Sequence, residues 1–226
     1  MRRRPCIAID GPVGAGKSTI ARLVAGALGY RYVDSGAMYR ALAWAAQQQG
    51  IAAGDTPQVL GLLHHLHPRL APQAEGRNRV FVDEREITEE IRTQQVGELA
   101  SRLSEVPEVR RQMVALQQEM AREGGVVMEG RDIQTVVLPE AEVKIFLTAP
   151  AEERAQRRML ELRERGDAAD LASVLAEIKA RDERDTSRAH SPLRAAPEAV
   201  RIDTGGLTIE QVVERVLKVV RAREQT

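Results

Sequence analysis

Aromatic side chains are almost missing from this chain: tryptophan, tyrosine and phenylalanine together make up 3% of its 226 residues. Its core must then be built from leucine, valine, isoleucine, alanine and methionine, and a hydrophobic content of 43% is enough for one. Cysteine occurs once, at Cys6, which excludes an intrachain disulfide and a cysteine-based zinc site. Set in an apolar run, Cys6 reads as a small buried hydrophobe. Neither sign of charge prevails: 33 Lys and Arg balance 33 Asp and Glu, which argues against a general nucleic-acid binder and leaves room only for local arginine clusters. No apolar run approaches the about 20 residues of a membrane-spanning helix. The basic start, Met1-Arg2-Arg3-Arg4, runs into Pro5 and a short strand pattern instead of the apolar core of a leader, so it reads as a solvated terminus. The expectation is a cytoplasmic protein with no membrane or nucleic-acid partner. Its length suits one domain, 1–226, with small inserted segments.

What is present is an alternation. Apolar runs at 5–9, 30–33, 125–129, 142–147 and 199–202 predict strands, and helical patterns lie near 17–28, 36–49, 94–103, 106–123, 151–165, 170–184 and 208–223. Strands separated by helices predict an α/β fold of three layers, α/β/α, with a central parallel sheet covered on both faces. Val106, Val109, Met113, Leu116 and Met120 form one core-facing stripe, and Ile209, Val212, Val213, Val216 and Val220 form another behind a capping box of Thr208 and Gln211. Residues 61–92 break the alternation with Pro68, Pro72, a turn at Glu75-Gly76-Arg77-Asn78 and the run Arg79-Val80-Phe81-Val82. They read as a small β-rich insert, a natural flap over a substrate. Gly166-Asp167-Ala168-Ala169-Asp170 ends a second, arginine-rich, hairpin-like segment. His64, His65 and His67 do not make a metal site, because adjacent histidines on a helix point apart; with Pro68 ending that helix they fall on its exposed last turn.

One stretch carries more than the rest. Gly11-Pro12-Val13-Gly14-Ala15-Gly16-Lys17-Ser18-Thr19 follows the strand pattern Cys6-Ile7-Ala8-Ile9 and opens a helix. Strand, G-x-x-x-x-G-K-S and helix, in that order, are the parts of a phosphate-binding P-loop. Glycine backbones can turn their N–H groups inward as a nest for phosphate oxygens, and the helix start adds its positive dipole end. Lys17 would reach the β- and γ-phosphates of ATP, and the Ser18 hydroxyl would ligate Mg²⁺.

The chain lacks the guanine-specifying N-K-x-D and the D-x-x-G switch of a GTPase. The nearest apolar run ending in a motor-type carboxylate, Val126-Val127-Met128-Glu129, continues straight into Gly130-Arg131-Asp132. Arginines are prominent instead: Arg40, Arg131, Arg154, Arg157, Arg158, Arg181, Arg184 and Arg188. On spacing alone the last two groups also suit solvated helix faces with ordinary ion pairs. Gathered around a P-loop, they suit phosphoryl transfer between two phosphates, where several negative charges meet and no strong general base is needed.

From end to end the chain resembles the bacterial cytidylate (CMP/dCMP) kinases. The resemblance rests on Ile9-Asp10-Gly11-Pro12 with the P-loop, on Asp34-Ser35-Gly36-Ala37-Met38-Tyr39-Arg40, on Ile91-Arg92-Thr93 after the insert, on Glu129-Gly130-Arg131-Asp132, on Val143-Lys144-Ile145-Phe146-Leu147 and on Arg181-Asp182-Glu183-Arg184-Asp185-Thr186-Ser187-Arg188. It implies transfer of the γ-phosphoryl group of ATP to CMP or dCMP with Mg²⁺, by a monomer. It further implies that Arg40, Arg131 and Arg188 hold the CMP phosphate, that Arg181 and Asp185 contact the sugar, and that Ser35, Ser101, Arg110 and Asp132 line and read the base. The Arg154–Arg158 stretch, within 151–168, resembles the family's lid, which would bring Arg157 and Arg158 to the ATP phosphates, beside Lys17, Arg131 and Arg188 in catalysis, and 61–92 would be the monophosphate-binding insert. The base reading has its own logic, since the N4 amino group of cytosine donates to a carboxylate and uracil O4 meets it with like polarity. One departure is plain: where the family pattern is G-R-D-x-G-T, this chain has Gln134 before Thr135. Other small P-loop kinases (adenylate, guanylate or shikimate kinase) share the opening but not the later blocks, and a slow nucleotide switch would not need so many arginines facing a second ligand.

Overall fold

The computed structural model describes residues 4–72, 78–164, 166 and 168–224; the first three residues of the basic terminus, the turn residues Glu75-Gly76-Arg77 and Asp167 lie outside the described residues. In chain order the elements begin with β1 (Cys6–Asp10), α1 (Lys17–Leu28), β2 (Arg31–Asp34), α2 (Ser35–Gln48) and α3 (Thr56–His65). A small antiparallel sheet follows, of β3 (Pro68–Pro72), β4 (Asn78–Val82) and β5 (Arg85–Glu86). Then come α4 (Gln94–Leu103), α5 (Pro107–Ala121), β6 (Val126–Gly130), a π-helical turn at Ile133–Val137 and β7 (Val143–Thr148). The chain closes with α6 (Ala151–Glu164), α7 (Leu171–Ser187), β8 (Val200–Asp203) and α8 (Ile209–Glu224).

Five strands form one parallel sheet in the order β2-β6-β1-β7-β8. Central strands covered on both faces read as continuous apolar runs, and β1 and β6 are buried at every residue. One face packs Ile7, Ile9, Val127 and Ile145 against Ile20 and Val24 of α1 and Val212, Val216 and Val220 of α8. The other packs Ala8 and Met128 against Ala121 of α5 and Ile133 and Val137 of the π-turn. This is the expected three-layer α/β/α architecture. A separate core forms where Met38, Leu42 and Trp44 of α2 meet Val80 and Val82 of the small sheet, Val96 and Leu103 of α4 and Val109 and Met113 of α5. α6 and α7 form a helical hairpin around Ala155, Val174 and Ile178. No helix among the described residues is long and apolar enough to cross a membrane.

Three local expectations are corrected. Residues 61–65 are not β structure but the end of α3, which Asp55 caps by accepting from the Gln58 N–H at 3.2 Å; strand pairing begins only at Pro68. In α5 the buried face turns toward Gln117, 1% exposed, and leaves Leu116 at 39%. In α8 the first residue of the expected stripe, Ile209, stands 48% exposed beyond the edge of the sheet core, while Thr208 and Gln211 form the expected reciprocal cap at 3.0 and 3.3 Å. His64 and His65 lie exposed on the last turn of α3.

Candidate active site

β1 lies between β6 and β7, so the glycine loop leaves the sheet at the carboxyl ends of the strands, with a neighbour strand on either side. Its glycines are there for space. At Gly11 a Cβ would run into the Leu147 carbonyl, and Gly14 has φ +76° with the Arg154 Cβ only 2.9 Å from where its own would sit. Lys17 opens α1 and is 6% exposed; its ammonium donates to the Pro12 carbonyl at 2.8 Å. Burial and the neighbouring Arg131 push the Lys17 ammonium down to about 7, while the charge of Glu129 opposes the shift.

Parallel pairing of β1 with β6 places Ile9 opposite Glu129 and so brings the Glu129 carboxylate under the loop. Its Oε1 accepts from the Ser18 hydroxyl at 2.6 Å and the Tyr32 hydroxyl at 3.3 Å. Burial, then repulsion from Asp34, raises the Glu129 carboxyl above the usual range, although Lys17 pulls the other way. Ser18 and Glu129 together offer hard oxygen atoms of the kind magnesium takes. Among the described residues no three His, Cys, Asp or Glu side chains converge, so a metal there would draw most of its ligands from phosphates and water.

Next to the loop, β6 runs on into Arg131 and Asp132, and the end of α7 faces them. The Arg131 Nε donates to Asp185 Oδ2 at 2.8 Å, and Arg188 pairs with the other oxygen of the same carboxylate. Burial alone would raise the Asp185 carboxyl, but Arg131, Arg188 and Arg181 together hold it below the usual range. Burial and the charges of Arg131, Arg40 and Arg188 lower Arg181 to about 10, with Asp185 opposing them, so these guanidiniums share one field. Arg40 meets Asp34 at 3.3 Å, and Asp34 in turn caps α2 through the Ala37 N–H at 2.9 Å. The Ser35 hydroxyl donates to the Glu129 carbonyl at 2.7 Å.

Deeper in the cleft, Arg110 and Asp132 form a buried ion pair, and the Arg110 guanidinium lies 5.8 Å from the Tyr39 ring centre. Ser101, 6% exposed, belongs to α4. Among the described residues eight buried side-chain nitrogen or oxygen atoms have no partner, and five belong to the site: Nε of Arg40, Arg110, Arg181 and Arg188, and Oγ of Ser101. Buried polar groups are normally satisfied. Four arginines of the site and Ser101 each keep a buried polar atom without a partner.

The arginines after β7 divide in three. Arg154 is buried; its guanidinium donates to the carbonyls of Ala149 at 2.9 Å and Val13 at 3.0 Å and pairs with Asp182 at 2.7 Å. Arg157 donates to the hydroxyl and carbonyl of Thr204 at 3.0 and 2.9 Å, and that hydroxyl faces the Ala15 carbonyl of the loop at 3.4 Å. Arg158 pairs with Glu161 on its own helix at 3.1 Å. Thus Arg40, Arg131, Arg181, Asp185 and Arg188 are brought together, as are Arg110 and Asp132, while Arg157 reaches the loop only through Thr204 and Arg158 pairs within its own helix. Sequence reasoning passed over Glu129, whose signal was the apolar run ending in a carboxylate. It also gave no role to Asp10, whose signal was a carboxylate ending a wholly apolar strand. Asp10 is fully buried and accepts from the N–H groups of Ile133 at 3.0 Å and Gln134 at 2.9 Å.

Comparison with known proteins shows the family. The family model described as cytidylate kinase matches residues 7–222. A cytidylate kinase from Pelotomaculum thermopropionicum is 50% identical over 222 residues, covering 98% of each chain. One from Syntrophotalea carbinolica is 48% identical over 225 residues, covering 100% of this chain and 95% of its own. Among solved structures, a gluconokinase from Sinorhizobium meliloti superposes with a TM-score of 0.50 at 15% identity, covering 100% of this chain and 97% of its own, a likeness of fold alone.

Proposed function

The chain belongs to the cytidylate kinase family, and from that premise we propose which of its residues carry the phosphoryl transfer from ATP to CMP. The overall reaction makes CDP and ADP from CMP and ATP. The observation that carries the assignment is the group of unused buried donors on Arg40, Arg110, Arg181, Arg188 and Ser101 beside a complete P-loop.

In this reading Gly11 to Thr19 wrap the ATP phosphates, and Lys17 exchanges the Pro12 carbonyl for a phosphate oxygen. Ser18 and Glu129 would hold a magnesium ion arriving with ATP, which when bound would supply charge neutralisation for the phosphates. Arg40, Arg131 and Arg188 bind the acceptor phosphate and set it in line. That phosphate is already an anion, so positioning and charge neutralisation do the work a base would otherwise do. Arg181 and Asp185 contact the sugar and accept CMP or dCMP. Asp132, held by Arg110, accepts from the cytosine N4 amino group, and Ser101 and Ser35 line the same pocket. The insert at 61–92 and the lid at 151–168 close over the paired nucleotides and exclude water, which would otherwise take the phosphoryl group. In this reading the enzyme is a monomer that acts on small molecules in the cytoplasm, without nucleic acid or membrane.

The test is ADP release from Mg²⁺-ATP with CMP, dCMP, UMP, AMP, GMP and shikimate as acceptors. Rapid release with CMP and dCMP alone is the expected result. Equal kcat/KM for CMP and UMP would remove the assignment of Asp132.

A further inference from the structure

Gln134 is 1% exposed, and its backbone N–H and both ends of its side-chain amide are engaged. Its backbone N–H donates to Asp10 Oδ2 at 2.9 Å, its Nε2 donates to the Ile145 carbonyl of β7 at 3.1 Å, and its Oε1 accepts from the Ala196 N–H at 2.9 Å. The three partners lie on three separate pieces of chain: the residue before the P-loop, the neighbouring strand, and the irregular segment 189–199 that joins α7 to β8. That segment is tied to the end of α7 as well, by the Leu193 N–H on the Asp185 carbonyl at 2.7 Å. Asp185 is the carboxylate that collects Arg131 and Arg188. Two hydrogen bonds, joined by the chain from 193 to 196, thus link Gln134, two residues after Asp132, to the arginine end of α7.

We propose that Gln134 is a positioning residue for the CMP site. Its side chain fixes the distance between Asp132, at the base end of the ligand, and the Asp185–Arg188 end of α7, at the sugar and phosphate end. The inference rests on the CMP-site reading above. A buried amide hydrogen-bonded at both its oxygen and its nitrogen rigidifies what it joins, because any shift leaves a buried donor or acceptor unpaired. A glycine at 134 would leave the two pieces to find their separation without this tie.

The test compares Gln134→Gly, which removes the side chain, with Gln134→Met, which keeps most of its volume and loses both side-chain hydrogen bonds. In both, KM for CMP rises by about tenfold, the size of one or two buried hydrogen bonds, while KM for ATP holds. A purely structural role would lower Tm and leave KM for CMP unchanged, or raise both KM values together; either result overturns the proposal. Asp132→Asn is measured alongside. If it leaves the preference for CMP over UMP intact, the CMP-site reading itself fails. If it erases the preference while both Gln134 variants behave as wild type, only this inference fails. Should the variants not fold, the wild-type protein decides. By linkage, a tie that favours CMP binding is itself strengthened by CMP, so amide exchange at Ala196 slows when CMP binds. An unchanged rate there overturns the proposal.

Discussion

The Ser18 hydroxyl donates to the Glu129 carboxylate at 2.6 Å, joining residues 111 positions apart. The contact exists because β6, not β2, lies beside β1 in the sheet, which sets the last residues of β6 under the start of α1. It gives the P-loop hydroxyl a fixed orientation and puts a negative charge where a nucleotide-bound cation would arrive.

Glu129→Gln keeps the shape of that contact and removes the charge. The expected result is a fall in kcat of about a hundredfold, comparable to losing one preorganised electrostatic group, with KM for CMP little changed. The magnesium concentration needed for half-maximal rate should rise in parallel. A magnesium dependence identical to wild type would mean that Glu129 serves only to orient Ser18.

Asp132→Asn tests base reading more cleanly than alanine would. Removing the carboxylate outright leaves Arg110 buried without its partner, a cost of about 3–5 kcal/mol that would blur the kinetics. Asparagine keeps the volume and presents both an acceptor and a donor, so uracil O4 gains a partner. The ratio of kcat/KM for CMP to that for UMP should fall by about tenfold to a hundredfold, the range for one polar contact to a base edge. A ratio that stays put would place the cytosine-reading group elsewhere.

Asp10 supplies a pH test. Burial pushes its carboxyl from 3.8 up to about 7, against the two backbone N–H groups of Gln134 and Ile133 that favour its charge. A carboxyl with a folded value above its unfolded one holds its proton more tightly when folded. Its contribution is complete below the unfolded value and is lost as pH rises through the folded one. Asp10→Asn cannot titrate, so the Tm advantage of wild type over this variant should shrink from about pH 4 to about pH 7 and level off above. A gap that widens with rising pH would show Asp10 to be ionised in the folded protein throughout.

These residues also mark the limit of sequence reading. The five strands of the main sheet each fall within one residue of the apolar runs that predicted them, because strands covered on both faces leave continuous apolar stretches. Strand order leaves no such trace. That Glu129 would meet Ser18, or Asp10 the turn after Asp132, depends on which strands become neighbours, a long-range fact absent from any local window. Gln117 and Leu116 show a smaller failure of the same kind: periodicity places one of them inside, and the packing of α5 against its neighbours chooses the polar one. The P-loop was legible because its chemistry is local, with glycine, lysine and serine acting within eight consecutive residues.

The arginines of α6 look equivalent in sequence and are not so in space. Arg154 is buried and spans the P-loop carbonyl of Val13, the Ala149 carbonyl and the Asp182 carboxylate of α7. Arg157 and Arg158 are half-buried and bind groups they could exchange for phosphate, Thr204 in one case and Glu161 in the other. Arg154→Ala should therefore act on stability, by about 3–5 kcal/mol as expected when one member of a buried pair is lost, and should raise KM for ATP by loosening the loop. Arg157→Ala and Arg158→Ala should keep Tm close to wild type and lower kcat by about tenfold to a thousandfold if each closes onto the transferring group. Thermal melts and steady-state kinetics on the three variants separate the roles. A wild-type Tm for Arg154→Ala would show that the loop holds its shape without the guanidinium, and an unchanged kcat for both of the others would remove the lid from the chemistry.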